Sequence, residues 1–395
     1  MEWKKYKLGE IAEICNGSTP STSDISNYDG DIVWATPKDL SDQQTKYFLK
    51  GARNITKKGF ESCSTQIIPA NNILMSSRAP IGLFAINKVD CCTNQGFKSI
   101  VLDKTKVDVD YMYYYLKYHV KEIEALGTGT TFKEVSKASF ENYEISIPEI
   151  GVQRSIASVL SILDDKILLN RAINQNLEAL AKQLYDYWFV QFDFPNENGR
   201  PYKSSGGKMV WNEKLKREIP EGWDACKIKD YLRIFTGKKD VSKAIPGDYK
   251  FFSCAPEPIT SNEYIYDGPA VLVSGNGSYT GRVSYYKGKF DLYQRTYACV
   301  PIKDEDTVSF FYYTLRYLFQ PVFSGGKHGS SIPYIVLGDL ADFTFAYNRQ
   351  IVILFENIVK PMFDLQFMGK EENEQLTKQR DELLPLLMNG QITIE

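Results

Sequence analysis

The chain has 395 residues, 43% of them hydrophobic, with 47 Lys and Arg against 49 Asp and Glu for a formal net charge of −2. That apolar share excludes a disordered chain, and the length is more than one core usually serves, so more than one domain is expected. No run of eighteen apolar residues occurs and Met1–Glu10 is charged and polar without an apolar stretch of signal-peptide type, so neither a membrane span nor a signal peptide is expected, and the cytoplasm is the expected compartment.

In chain order, Asn16–Gly17–Ser18–Thr19–Pro20 is a turn signal, and Asp29–Gly30 predicts a loop entering a short strand at Ile32–Val33–Trp34. Ile73–Met75, Ile81–Phe84 and Phe97–Leu102 are strand-like, with Ser77–Arg78–Ala79–Pro80 as a loop between the first two, and Val109–Glu124 is predicted helical. Glu144–Pro148 alternates as a strand and hands over to a long helix at Gln153–Trp188. Along that helix Ile156, Leu160, Leu163, Ile167, Asn170, Asn174, Leu177, Ala181, Leu184 and Trp188 recur at alternating spacings of four and three, the seam of a coiled coil. Asn170 and Asn174 in the seam weaken packing but penalise other registers. Such a helix is roughly 54 Å long at ~1.5 Å per residue and needs a partner helix. Ile351, Phe355, Ile358, Met362 and Leu365, then Leu376 and Leu383, supply one, although Gly369, Glu372 and Gln379 make its middle polar and Pro361 predicts a kink. Between the helices, the turn-rich 193–222 is a connector long enough to let the two helices run antiparallel.

The chain repeats itself. Trp3, Leu8, Ile11, Ile14 and Gly17 are echoed by Trp223, Ile228, Tyr231, Ile234 and Gly237 at an offset of 220. Ile73–Ser76 matches Val271–Ser274 at 198, and Gln95 and Tyr113–Leu116 match Gln294 and Tyr312–Leu315 at 199. The first copy is therefore about twenty residues longer between Gly17 and Leu74, and a duplication is the simplest account. The expected fold class is α+β: two globular mixed α/β domains, at 1–150 and 223–350, joined by two long antiparallel coiled-coil helices at 151–192 and 351–395 in a pseudo-two-fold internal repeat.

Catalytic equipment is hard to find. No phosphate loop of the G-x-x-x-x-G-K-[ST] type occurs, and neither does a methyltransferase's Gly-rich loop with its Asn/Asp-Pro-Pro-aromatic turn. Seven cysteines without a C-x-x-C pair, with His119 and His328 as the two histidines, predict reduced thiols and no metal site. Asp248–Tyr249–Lys250 ends like a metal nuclease motif but lacks an acidic partner. What remains is polar loops at matching places in the two copies. Arg and Lys read guanine in the major groove, Asn and Gln read adenine, and hydroxyls read either. The candidate DNA-contacting residues are thus Ser76, Ser77, Arg78, Asn94, Gln95, Lys98, Thr130 and Lys133 in the first copy. In the second they are Ser274, Asn276, Ser278, Tyr279, Gln294, Arg295, Lys327 and Ser330. Charge permits this without demanding it: residues 1–150 hold 18 basic and 19 acidic side chains, 196–350 hold 21 and 17, and 351–395 hold 4 and 8.

Trp188–Phe189–Val190–Gln191–Phe192 ahead of the connector, Ile219–Pro220–Glu221–Gly222–Trp223 restarting the repeat, Ile147–Pro148 with Gln153, and Leu383–Ile392 resemble the specificity subunit of type I restriction-modification enzymes. The resemblance covers the whole chain. It implies two target-recognition domains, each reading half of a split site in double-stranded DNA, with the helices as a ruler. It also implies docking of methyltransferase subunits that bring S-adenosylmethionine, a separate motor-nuclease subunit, and no cofactor in this chain. Two alternatives stay open from the residues alone: a fused nuclease or methyltransferase with drifted motifs, and a coiled-coil scaffold without DNA specificity.

Overall fold

The computed structural model describes all residues except 1–2, 44, 130–132, 304–306, 330, 393 and 395. The chain divides into two compact units, Met1–Asn170 with Glu372–Glu395, and Arg171–Glu371. Thr130 and Ser330 lie outside the described residues.

In the first unit a five-stranded sheet runs Ala12–Asn16, Lys98–Leu102, Ile73–Met75, Phe84–Asn87, Tyr47–Phe48. Its neighbours are antiparallel except the last pair, which is parallel. In the second unit a six-stranded sheet runs Leu232–Thr236, Thr296–Pro301, Tyr266–Ser274, Val283–Leu292, Tyr249–Phe252, Ile259–Ser261, and its fourth and fifth strands are again parallel. The registers agree with the sequence repeat: Ile100 pairs with Ile14 and Ile73, as Cys299 pairs with Ile234 and Val271. All six side chains are apolar, five of them buried and Ile234 half-buried. Gly17 and Gly237 show why the repeat kept a glycine. A Cβ on Gly17 would lie 2.0 Å from Asn94 O, and one on Gly237 would lie 1.5 Å from Leu292 O, so the chain crosses itself at the same point in each copy.

Several local expectations change. Asp29 and Gly30 sit inside a strand, Tyr28–Ile32, because Tyr28 and Ile32 both pair with Ile55, and Asp29 takes a φ of 62° between them. The strand expected at Ile81–Phe84 begins only at Phe84, since Gly82 N donates to Ser76 O (3.0 Å) and closes a loop. Val109–Glu124 divides at His119 into Val109–Tyr118 and Val120–Ala125. The connector is not an open tether: Met209–Asn212 pairs with Arg217–Pro220, and Phe194 and Ile219 are buried in the second unit's core.

The first long helix is Ile150–Tyr185, continued by a π-helical turn at Asp186–Val190 that buries Trp188 and Phe189. Gln153 anchors its base. The Gln153 side chain donates to Pro148 O (2.8 Å) and Lys106 O (3.0 Å) and accepts from Asp108 N (2.9 Å). The resemblance string around Trp188 is core rather than chemistry, with Phe189 packed 4.8 Å from Phe310 and 5.9 Å from Trp223 between ring centres.

The second long helix, Arg349–Met388, is unbroken through Pro361, which is flanked by buried Val359 and Phe363 whose packing holds the backbone in place. It ends in a Schellman motif: Gln391 N donates to Leu386 O (2.9 Å) and Gly390 N to Leu387 O (3.2 Å), with Gly390 at φ 66° against Trp3. Leu387 and Met388 thereby join the first unit's core.

Within each unit the two helix segments run antiparallel. In the first, Arg380 bonds Asp164 (2.8 Å), and Asn170 donates to Glu372 (2.6 Å) and Asn373 (3.0 Å), whose own amide reaches Ile167 O (3.3 Å). In the second, Asn174 lies against Gly369, and Glu178 accepts from Tyr313 (3.3 Å) and Tyr317 (2.7 Å). The polar middle of one helix therefore meets the polar seam positions of the other, which fixes register. Ile156, Leu160, Ile167 and Asn170 are buried, and Leu163, Asn174, Leu177, Leu184, Leu376 and Leu383 are half-buried. Ile358 and Leu365 are not seam residues: they are 43% and 49% exposed. The buried stripe is Val352, Phe355, Val359, Phe363 and Gln366, which keeps Phe355 and moves the other four expected positions by one, because the helix lays its bulkier aromatic face on Tyr285, Tyr312 and Tyr313.

Candidate nucleic-acid interface

Three loops meet at one end of each sheet. In the first unit, Ser77 N donates to Gly96 O (2.7 Å), Val135 N to Ser77 O (3.0 Å), and Thr128 and Glu134 exchange both backbone bonds (3.0 Å each). In the second, Gly275 N donates to Arg295 O (2.9 Å), Ile335 N to Gly275 O (2.9 Å), and His328 and Tyr334 make the same exchange (3.3 and 3.0 Å). The hairpin loop recurs as well: Ser76 N reaches Leu83 O and Gly82 N reaches Ser76 O, as Ser274 N reaches Arg282 O and Gly281 N reaches Ser274 O. One backbone device is thus built twice from side chains that differ.

In the first unit the junction is charged. Glu134 Oε2 accepts from Arg78 Nε (3.0 Å) and its Oε1 from Lys98 Nζ (3.1 Å). Burial alone would raise the Glu134 carboxyl, but the bonds and charges of Lys98 and Arg78 outweigh it and hold the group below the usual carboxylate range. The side chains of Arg78 and Glu134 are 47% and 34% exposed while that of Lys98 is 8% exposed, so the lysine is an anchor and the arginine lies at the rim. Gln95 and Lys133 are exposed beside it. The Gln95 side-chain oxygen is taken by the Thr19 hydroxyl, and Asn94 Oδ1 by Gly96 N (2.9 Å), so Asn94 shapes a turn. Ser76 and Ser77 are fully buried. Ser76 Oγ donates to Pro80 O (2.7 Å) and accepts from Leu83 N (2.8 Å), while Ser77 Oγ has no partner among the described residues. Ser76 is therefore loop scaffold, a role its polarity concealed in the sequence.

In the second unit the junction is aromatic and lacks the lysine–glutamate–arginine cluster. Asn276 Oδ1 accepts from Cys254 Sγ (3.1 Å), Tyr334 stands 5.3 Å from the His328 ring, and His328 pairs with Asp339 (3.1 Å). A cavity of about 270 Å³ opens between Gly275, Gln294, Arg295, Tyr297 and Ile335. Gln294 and Arg295 are exposed at its mouth, and Gln294 Nε2 reaches Asp240 (3.3 Å). Ser278 and Tyr279 are exposed on the hairpin loop, and Lys327 rides over the Phe323 ring at 4.2 Å. Ser274, like Ser76, is buried.

The junction thus unites Arg78, Gln95, Lys98 and Lys133 in one unit and Asn276, Gln294 and Arg295 in the other. Glu134, Tyr334, His328 and Cys254 belong to it and were missed. The one available signal was positional, since Glu134 and Tyr334 stand 200 residues apart in the repeat. No group of three or more His, Cys, Asp or Glu able to hold a metal occurs among the described residues.

Residues 1–179 and 220–347 match the family model described as type I restriction modification DNA specificity domain. The chain is 30% identical to the type I restriction enzyme MjaIX specificity subunit of Methanocaldococcus jannaschii, with 100% of this chain and 94% of that protein covered. It is 24% identical to the type I restriction enzyme HindI specificity subunit of Haemophilus influenzae over 99% and 100%. A crystal structure of a type I restriction-modification S subunit from M. genitalium superposes with a TM-score of 0.67 at 19% identity, covering 98% of this chain and 96% of that one.

Proposed function

The chain belongs to the type I restriction-modification DNA specificity family, and on that premise we propose that each three-loop junction reads one half of a split site in double-stranded DNA. DNA recognition, and not catalysis, is the role of this family. The observation that carries the two-half reading is the duplicated junction: matching backbone bonds present Arg78, Thr128 and Glu134 in one unit and Asn276, His328 and Tyr334 in the other. A frame held constant with its polar side chains exchanged is what two different half-sequences require.

The partners in this proposal are methyltransferase subunits, which supply S-adenosylmethionine and dock on the helices, and through them a motor-nuclease subunit. An apolar stripe supports helix docking: Leu354, Ile358, Leu365 and Met368 follow one another at helical spacing and are 43–63% exposed. The proposed compartment is the cytoplasm, and no described helix is long and apolar enough to cross a membrane.

The test is to map methylated bases in DNA of cells expressing the chain with its methyltransferase partner, then to exchange residues 1–150 for those of another family member. One half of a split motif should change and the other persist. A change in both halves, or a contiguous motif, would overturn the proposal.

A further inference from the structure

Among the basic side chains at the junctions, Arg78 is held in a distinctive way. Its Nε is bonded to Glu134, and neither terminal nitrogen is engaged by a described residue. Fixing Nε fixes the plane of the guanidinium, and it leaves the outer fork of two N–H groups facing away from the carboxylate. Glu134 cannot swing with it, because its other oxygen is bonded to Lys98, whose side chain is 8% exposed. The loop bearing Arg78 is tied as well, through Ser77 N to Gly96 O (2.7 Å), Val135 N to Ser77 O (3.0 Å) and the Ser76 hydroxyl to Pro80 O (2.7 Å).

Two targets suit an arginine on a DNA-facing rim. A phosphate is the weaker match here: the carboxylate 3.0 Å from Arg78, although shared with Lys98, offsets part of the cation's charge and repels the phosphate. The major-groove edge of guanine is different. It offers two uncharged acceptors, O6 and N7, side by side, and an arginine fork of fixed plane matches them. A carboxylate behind the arginine then costs little and aligns the fork.

We propose that Arg78 reads a guanine in the first half-site, with Glu134 as a positioning residue anchored by Lys98. The inference rests on the reading of the junctions as half-site readers. It is confined to one half: the positions equivalent to Arg78, Lys98 and Glu134 are Asn276, Tyr297 and Tyr334, which hold no cation–carboxylate pair.

The experiment uses the complex of the full chain with its methyltransferase subunits. Its motif is mapped by methylation, and binding is then competed with duplexes in which each G·C pair is replaced in turn. The variants are Arg78→Ala, which removes the guanine-reading fork, and Glu134→Gln, which keeps the size but loses the charge of the clamp. The expected result is that one G·C pair, in the half that follows residues 1–150 in domain exchange, loses about 10- to 100-fold of its discrimination in Arg78→Ala. A smaller loss at the same pair is expected in Glu134→Gln, with the other half unchanged and binding to scrambled DNA equal or tighter, because a negative charge has been removed. Retained discrimination in Arg78→Ala, a loss spread evenly over all sequences, or a first half without G·C would each overturn the inference while leaving the split-site reading standing. A wild-type complex that recognises no split sequence would overturn that reading and this inference together.

Discussion

Phe363→Ala should destabilise the chain far more than Leu365→Ala, although a seven-residue repeat read from the sequence favours Leu365 as the seam position. Phe363 is 4% exposed, and its ring lies 4.5 Å from Tyr285, 5.1 Å from Tyr312 and 6.1 Å from Tyr313. Removing a buried Phe costs about 3–5 kcal/mol through lost transfer energy and the cavity left behind. Three ring neighbours, which nothing nearby can replace, put this site in the upper half of that range. Leu365 is 49% exposed, so its truncation forfeits roughly half of a side chain's burial, about 1 kcal/mol. Ala is at least as good a helix former as Leu, which trims the loss further. With a urea dependence of about 1–3 kcal/mol per molar, the unfolding midpoint of the unit containing Phe363 should fall by about 2 M in Phe363→Ala and by less than about 0.5 M in Leu365→Ala. Urea titrations of the isolated chain, followed by far-UV circular dichroism and tryptophan fluorescence, make the comparison. A Leu365→Ala midpoint at or below that of Phe363→Ala would refute the helix phase described here.

Gly237→Ala, which places a methyl 1.5 Å from Leu292 O, should displace the strand Leu232–Thr236 at a cost of about 3 kcal/mol or more, whereas Gly151→Ala, with nothing within 4 Å, should be neutral or slightly stabilising. Thermal melts of the two variants check this, and equal melting temperatures would contradict it. The isolated chain should bind DNA weakly with a shallow salt dependence, because its net charge is −2 and Arg78 and Lys98 are already paired with Glu134. Adding methyltransferase subunits should raise affinity and steepen the slope, as titrations at several salt concentrations would reveal, and identical slopes would argue against shared phosphate contacts. Hydrogen bonds from Lys229 and Lys227 hold the Asp342 carboxyl down from 3.8 to about 2. A depressed carboxylate stabilises the fold above its unfolded value and ceases to do so as pH falls through its folded one, so this contribution should be complete above pH 4 and fade between pH 4 and 2. Asp342→Asn should flatten acid unfolding in that window, and an unchanged profile would show the pair to be screened out.

Most of the scaffold was legible because its demands recur in local strings. The two glycines at the chain crossing, the paired tyrosines of the helices at Val109–Tyr118 and Val308–Thr314, and the three–four spacing along Ile150–Tyr185 each answer a backbone or packing need that few residues satisfy. The phase of the second long helix was not legible, and for a definite reason. It carries two apolar stripes, Val352–Phe355–Val359–Phe363 and Leu354–Ile358–Leu365–Met368, and spacing alone cannot say which faces the core. Aromatic bulk decided it, together with the meeting of Gln366 and Glu178 across the helices.

The junctions were legible in part, since Arg78, Gln95, Asn276 and Gln294 stand out as loop polar groups, but Ser76 and Ser274 stood out equally and are buried. Polarity marks both a side chain that reads a ligand and one that closes a turn. Comparing the chain with itself separates the two kinds. Where two positions make the same backbone bonds or the same close approach and keep the same residue, as at Ser76 with Ser274 and Gly17 with Gly237, the residue serves the frame. Where the bonds are the same and the residue differs, as at Arg78 with Asn276, Thr128 with His328 and Glu134 with Tyr334, the backbone frame makes no demand on the side chain. The frame tolerates such an exchange when the side chain's partners change with it, as Lys98 and Glu134 give way to Tyr297 and Tyr334, and a duplicated reader needs that freedom if its two halves are to recognise different sequences.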